Sequence, residues 1–542
     1  MVRRCNRPTA DTDGGTKSWV PCLFIIGRDW PRPLGDQPAE RRTMIVPRRL
    51  LRPERDVVLV LGDAISDAAR AEFENRGLRL ALLSAAPTIS DLNRARGVLI
   101  HLDTGRAITE LLPRAGASWI DHGLLICVST ADDASQLVAS DLLRGLPPDQ
   151  VERKVLPPAY VFPELLARHD PGPAADGAFT PEYVGNVEPL DDEDHLLMSR
   201  ALAGYGQVRL EELSPGLSGA RVFTVHTTRG NSFGNWGQPL FAKFDRRSKI
   251  LQEADGYRAA KPFIPFGMCP EIEQVRLGAR RGLLVGSLVD QSEALWDVAR
   301  RGLAATAIFN LFDMTLGAWR AQGLRVQPSN GSMWQALEGA RIIRADKIRS
   351  EYYETACGRG EALTPEEIVE LLRPLNRPHR VGPIHGDLHA DNVRVRRGEA
   401  ILIDMASVCN GPLAADVALL ETWFAIALKD DEHNDNYHDP EWEEVVEALY
   451  APNAFILSPP PSEAGMKYRW MWDVIRQLRT IGIANQCSSD EYRLAVVAGL
   501  LRRCMFPATC RRDKGRRRTA YRLASRLVEA LSAHEETTLA TL

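Results

Sequence analysis

The chain has 542 residues, 44% of them hydrophobic and 25% charged, ordinary values for a globular protein with room for several domains of ~150 residues. Sixty-seven Lys and Arg against 71 Asp and Glu leave a net charge of -4, which argues against a whole-chain nucleic-acid binder. No apolar run approaches the ~18 to 20 residues that span a bilayer, and the nine scattered cysteines form no CxxC pair, so no membrane span, zinc site or disulfide framework is indicated. A reducing cytoplasm is the expected location.

Residues 1–55 are rich in Arg and Pro without apolar periodicity and read as a mobile arm, or as an extension ahead of a start at Met44. From Asp56 to residue 160 apolar strands alternate with helices. Val57 to Leu61 is a strand and Ser66 to Arg76 a helix capped by Ser66; Leu78 to Leu83 is a strand and Ser90 to Arg96 a helix. Gly97 to Leu102 and Leu124 to Val128 are further strands, with helices at Thr104 to Ala115 and after Asp132. This alternation predicts a doubly wound α/β domain around a parallel sheet. Leu61-Gly62-Asp63-Ala64 is no dinucleotide fingerprint. Asp63, Asp103, Ser129 and Thr130 end strands as in a response-regulator receiver, which the domain resembles in layout. It lacks a paired acid after the first strand and a Lys-Pro after the fifth, so the expectation is a docking or regulatory module with a protein as its candidate partner.

Pro163, Pro171, Pro173, Pro181 and Pro189 mark residues 161–192 as a linker. Val208 to Leu213 and Ala220 to His226 then read as strands around Ser214-Pro215-Gly216-Leu217-Ser218-Gly219, and Pro239 to Phe244 as another. Helical patterns dominate from Leu295. Thr364-Pro365-Glu366-Glu367 has the cap, first-position Pro and capping-box Glu of a helix start. A strand-rich unit at 193–289 thus precedes a helical one at 290–535.

The stretch from His385 to Asp404 carries the chemistry. Val393 and Val395 alternate with Arg, Arg397-Gly398-Glu399 can turn, and Ile401 to Ile403 returns, so residues 392–404 predict a hairpin. Asn392 and Asp404 each lie six residues from Gly398, an expected cross-strand pair ~4.5 to 5.5 Å apart. An amide oxygen and a carboxylate at that spacing can share a magnesium ion and leave room for phosphate and water. Asp387, five residues before Asn392, faces the same spot as a candidate base.

The spacing of Asp387, Asn392 and Asp404 is that of a kinase catalytic loop. His385-Gly386-Asp387, Leu402-Ile403-Asp404, and Gly411-Pro412 followed by Asp416-Val417-Ala418 resemble the aminoglycoside/choline phosphotransferase family over 383–421. The resemblance implies a protein-kinase-like α+β catalytic domain of two lobes that moves the gamma-phosphate of ATP to a small-molecule hydroxyl. It implies Asp387 as base, Asn392 and Asp404 as magnesium ligands, and His385 and Asp416 as braces of the loop.

Upstream, Phe241-Ala242-Lys243-Phe244 puts Lys243 on a strand within reach of ATP phosphates, with Glu253 on the following helix as its ion-pair partner. Gly216, Ser218 and Gly219 form a loop whose backbone can close over phosphates. Carboxylates at Asp430, Asp431, Glu432 and Asp435, continuing to Glu444, read as a solvated loop and helix start, and as a candidate site for a cationic acceptor. Arg511, Arg512, Lys514, Arg516, Arg517 and Arg518 read as a solvated basic helix end. The rivals to an ATP- and magnesium-dependent phosphotransferase are a non-catalytic ATP-sensing module and a protein kinase, the latter without an Ala-Pro-Glu activation segment to support it.

Overall fold

Val57–Leu61 (β1), Arg79–Leu83 (β2), Ala95–His101 (β3), Leu125–Ser129 (β4) and Val151–Lys154 (β5) make an all-parallel sheet in the order β2-β1-β3-β4-β5. The computed structural model describes residues 55–61, 65–83, 86–101, 115–129, 143–154, 158–213, 219–229, 237–428, 439–455 and 467–541. Pro53–Leu542 is one compact unit. The arm expected at the N-terminus lies, up to residue 54, outside the described residues, as do Asp63, Asp103, Thr130, most of the helix expected at 104–115 and the start of the one after Asp132.

Both faces of the parallel sheet are buried, because alternate residues of each strand enter different clusters. Val57, Leu59, Val98, Ile100 and Ile126 pack with Trp119 and Ile120, whereas Val58, Val60, Leu99 and Cys127 pack with Phe73, Phe162 and Leu166. Phe73 comes from Asp67–Glu74 (α1), whose cap is Ser66: its hydroxyl accepts from the Ala69 amide at 3.3 Å. Ile89–Arg94 (α2) starts on a Thr88/Asp91 capping box.

Phe162 and Leu166 correct the expected linker. They lie on Pro158–Arg168 (α3), a helix with Pro163 inside it that belongs to the α/β layer. Burial of two large side chains, ~1.5 to 3 kcal/mol each, matches the ~3 kcal/mol that an interior proline costs. Farther on, Glu182–Val184 (β6) pairs in parallel with Tyr205–Glu212 (β7), so the proline-rich stretch also supplies a sheet edge, where a residue without an N–H is tolerated.

The second sheet has the order β10-β11-β9-β8-β7-β6, with Arg221–Arg229 (β8), Leu240–Arg246 (β9), Ile272–Leu277 (β10) and Arg281–Ser287 (β11). Asp192–Ala201 (α4) covers one face through Leu197 and Met198 over Phe223, Ala242 and Phe244. Arg247–Ala260 (α5) covers the other, packing Ile250, Ala254 and Tyr257 with Leu284. Lys243 lies opposite Val222 and Leu284 in the ladder, on the α5 side.

The two sheets are tied by buried polar contacts. Arg200 of α4 donates to the Asp121 carbonyl, while within the α/β layer Arg55 donates to the carbonyls of Ala95 (2.7 Å), Leu92 (2.9 Å) and His122 (2.9 Å). Arg247, the first residue of α5, donates to the Gly278 carbonyl at 2.6 Å and pairs with Asp149 of the α/β layer. The Asp121 carboxyl accepts from the Ala279 amide at 2.7 Å, while Glu193 on α4 accepts from the amides of Arg280 and Arg281 at 2.9 and 2.8 Å.

Burial raises the Asp121 carboxyl to about 7; the Ala279 amide opposes the shift and the Glu193 carboxylate adds to it. Between its ordinary value near 3.8 and about 7, the folded protein holds a proton that the unfolded chain releases. This contribution to stability is full below 3.8, is lost progressively as pH rises from there, and is gone above about 7. Asp121→Asn keeps the acceptor for Ala279 and donates permanently to Glu193. Its thermal midpoint is therefore expected to lie nearest the parent's below pH 3.8 and to exceed it by a margin that grows up to about pH 7; parallel pH dependences of the two melting curves would contradict the shared proton.

Beyond Ser287 come Glu293–Ala294 (β12), Val381–Ile384 (β13), Val393–Arg396 (β14), Glu399–Leu402 (β15) and Cys409–Pro412 (β16), in the sheets β12-β14-β15 and β13-β16. Helices make the rest, among them Pro365–Leu372 (α6), Ala414–Ile426 (α7), Pro440–Leu449 (α8), Arg469–Ala484 (α9), Glu491–Arg503 (α10) and Arg511–Thr541 (α11). Thr364 and Glu367 form the capping box of α6. Every residue of α7 is buried, and inside the bundle its Glu421 accepts from Arg479 of α9 and Tyr492 of α10, both at 2.6 Å. No described helix is long and apolar enough to cross a membrane.

The basic stretch at the start of α11 is not a solvated end. Arg517 pairs with Asp513 at 2.9 Å, Arg512 with Asp439 at 3.3 Å and Lys514 with Glu351 at 2.6 Å. Arg516 donates to the Leu428 carbonyl at 3.0 Å. Apart from the Arg517–Asp513 pair within the helix, helical spacing sends these side chains toward carbonyls and carboxylates of neighbouring segments, which a charge count along the chain does not reveal.

Candidate active site

The β14–β15 hairpin pairs Val393 with Leu402 and Arg396 with Glu399, leaving Arg397 and Gly398 as a two-residue turn with φ of 53° and 82°. Positive φ at both positions is the tight turn whose twist suits a hairpin. This register corrects the expected pairing by one residue: Asn392 lies across from Ile403, whose amide donates to the Asn392 carbonyl at 3.0 Å, and Asp404 falls just beyond the ladder. There Asp404 takes a left-handed conformation (φ 60°, ψ 72°) ahead of the short 3-10 turn Met405–Ser407. Its amide donates to Tyr257 Oη at 3.2 Å.

Lys243 Nζ sits 2.8 Å from Glu253 Oε2 and 3.0 Å from Asp404 Oδ2. Burial works against the ammonium, but Asp404 and Glu253 outweigh it and raise its pKa; burial lifts Glu253 to about 7 against the attraction of Lys243. Gly256, one turn after Glu253, brings α5 onto this segment: a Cβ there would lie 1.9 Å from the Met405 carbonyl oxygen. Gly256→Ala must push α5 off the Asp404 turn. An overpacking cost of ~1 to 3 kcal/mol is expected, with a raised KM for ATP as Glu253 draws away from Lys243. Thermal melts and ATP titrations check this; an unchanged KM would mean that the contact does not position Glu253.

The loop between β13 and β14 carries His385, Gly386 and Asp387. The amides of His385 and Gly386 donate to the two oxygens of buried Asp416 at 2.8 and 3.0 Å, and His385 Nε2 to the Ile403 carbonyl at 3.1 Å. Burial raises the Asp416 carboxyl, with His385 and the two amides opposing. Gly386 has φ +76°, and a Cβ there would meet the Ser407 carbonyl oxygen at 2.4 Å. The loop and the Asp404 turn therefore touch backbone to backbone.

Asp387 follows with its side chain 42% exposed and Oδ1 accepting from Arg502 of α10 at 2.8 Å. Burial alone would raise this carboxyl, but Arg502, His389 and His385 hold it below its ordinary value. Asn392 Nδ2 donates to the Asp387 carbonyl at 3.0 Å. His389 stacks on Trp423 with ring centroids 4.1 Å apart, the Arg503 guanidinium lies 4.3 Å from the same Trp423 ring, and burial depresses the imidazole's pKa.

Among the described residues no group of three or more His, Cys, Asp or Glu is arranged to hold a metal ion. The Asp404 carboxylate, 36% exposed, and the Asn392 amide oxygen, which takes part in no described hydrogen bond, suit magnesium that completes its shell with substrate phosphates and water.

Lys243, Glu253 and Asp404 meet directly, Asn392 touches the backbone of Asp387, and His385 and Asp416 meet at the base of the loop. Gly219, with φ +72°, is described, but Gly216 and Ser218 lie outside the described residues, as do Asp430, Asp431, Glu432 and Asp435. Asp439, within that acidic run, caps α8 and is engaged by Tyr468, Lys467 and Arg512. Sequence reasoning missed Gly256, Tyr257 and Arg502. A glycine inside a helical pattern hints at close backbone approach, whereas Arg502 is 115 residues from Asp387 and nothing local marks it.

Residues 315–449 match the phosphotransferase enzyme family, so the chain carries a phosphotransferase-type segment that includes Asp387, Asn392 and Asp404. No curated protein matches the chain. Solved structures similar to it include a glucosamine kinase in complex with glucosamine, ADP and inorganic phosphate, at 12% identity and TM-score 0.32, covering 65% of this chain and 89% of that one. An aminoglycoside phosphotransferase in complex with ADP and hygromycin B has 13% identity and TM-score 0.29, covering 56% and 96%. An amicoumacin kinase with AMP-PNP and calcium has 13% identity and TM-score 0.31, covering 58% and 84%. These are distant likenesses.

Proposed function

We propose that the chain transfers the gamma-phosphate of ATP to a hydroxyl of a small-molecule acceptor. In this reading 193–289 is the smaller lobe and 290–535 the helical lobe of a protein-kinase-like domain. The observation that carries it is the convergence of Lys243, Glu253 and Asp404 beside a loop that leaves part of the Asp387 carboxylate open; the phosphotransferase match over 315–449 supports it.

Lys243, held by Glu253, contacts the ATP phosphates, and Gly216, Ser218 and Gly219 cover them. Asn392 and Asp404 would hold magnesium, which would supply charge neutralisation to the phosphates when bound. Asp387 accepts the acceptor's proton as its oxygen attacks in line, and the loop that His385 and Asp416 brace keeps Asp387 in place. An amine-bearing or otherwise cationic acceptor, drawn by Asp430, Asp431, Glu432 and Asp435, belongs to the same proposal, as does a cytoplasmic setting. The doubly wound, receiver-like domain at 56–160 is assigned a docking or regulatory task. Its support is the contact of Asp149 with Arg247, the first residue of the helix that carries Glu253.

The test is incubation of the full chain with gamma-labelled ATP, magnesium and a metabolite extract, with glucosamine and hygromycin B as first single acceptors. Label in a small molecule is the expected result. Label only in protein would favour a protein kinase, and none beyond controls would favour the ATP-sensing alternative.

A further inference from the structure

We propose that Arg502 is a positioning residue for this phosphotransfer, an inference that rests on the function proposed above. Arg502 stands in the last turn of α10, a helix whose residues from Glu491 to Leu501 are all buried, so its backbone is anchored in the bundle. Its guanidinium is anchored as well. Nη1 donates to the carbonyls of Arg341 at 3.1 Å and Ile342 at 2.9 Å, and Arg341 presents its carbonyl from a left-handed conformation with φ 58°.

With two donors' worth of contact spent on fixed carbonyls, the third contact, Nη2 to Asp387 Oδ1 at 2.8 Å, locates the carboxylate rather than following it. A planar guanidinium fixed at one edge has little freedom at the other. The consequence falls on the second oxygen: Asp387 Oδ2 takes part in no described hydrogen bond, and the side chain is 42% exposed. Arg502 therefore occupies Oδ1 and leaves Oδ2 as the oxygen available to the acceptor hydroxyl. Arg502 touches neither acceptor nor phosphate in this arrangement; it acts through Asp387.

A residue that acts through another has no effect once the other is gone, which a double-mutant cycle detects. The measured reactions are magnesium-dependent ATP turnover with water as acceptor and with glucosamine. Arg502→Met is expected to lower kcat ~10- to 100-fold in the parent, as small misplacement of a reacting group does, with the KM for ATP unchanged. Arg502→Lys should recover part of the loss, and Arg502→Met added to Asp387→Asn should lower kcat no further. A raised KM for ATP would instead make Arg502 a phosphate ligand, and equal losses in the two backgrounds would make it merely structural; either overturns the proposal. If Arg502→Met does not fold, the Lys variant in both backgrounds decides by the same criterion. An active parent with a fully active Arg502→Met overturns the positioning role alone, whereas a parent that turns over no ATP overturns the function on which it rests.

Discussion

Asp387→Asn is expected to keep magnesium-ATP binding and to lower turnover by ~10²- to 10⁴-fold, the usual loss for a general base. The substitution is nearly isosteric. Its amide oxygen can still accept from Arg502, and its carbonyl still receives Asn392, so the loop geometry is retained while the proton acceptor is lost. Calorimetry with magnesium-ATP and a transfer assay check the two halves. A variant with parental turnover would remove Asp387 from the chemistry.

Asp404→Ala is expected to abolish the metal-dependent part of ATP binding together with turnover. Magnesium supplies several kcal/mol of charge stabilisation in such transfers, so a loss of ~10³-fold or more is expected. The structure adds a second cause. Asp404 is one of the two carboxylates at Lys243 Nζ, and without it the ammonium has only Glu253, itself raised to about 7 by burial. Losses of binding that are equal in Asp404→Ala and Asp387→Asn would contradict the division of labour between them.

Features set by neighbours in the chain were legible in the sequence. The Ser66 cap, the Thr364/Glu367 box and the parallel arrangement of Val57 to Leu61 with later strands all follow from local pattern. So does the loop-hairpin order that puts Asp387, Asn392 and Asp404 within one short stretch. The hairpin register was misread by one because Arg397 is not a residue that advertises positive φ, and the expected turn was centred on Gly398. Prolines misled for a related reason: composition reports what a residue resists, while Phe162 and Leu166 report what the fold gains by overriding it.

What stayed hidden is the long-range polar wiring. Arg502 reaches Asp387, Arg247 reaches Asp149, and the basic start of α11 is absorbed by Glu351, Asp439 and Asp513. Only Asp513 is local, four residues before Arg517 on the same helix; the other partners are distant in sequence, and no local charge pattern points to them.

A crystal structure of the full chain with AMP-PNP and magnesium tests the site most directly. The expected result has magnesium between the Asn392 amide oxygen and the Asp404 carboxylate, and Lys243 turned to the phosphates while still paired with Glu253. Asp387 remains free of the nucleotide. Nucleotide bound away from these residues, with Lys243 still on Asp404, would contradict it.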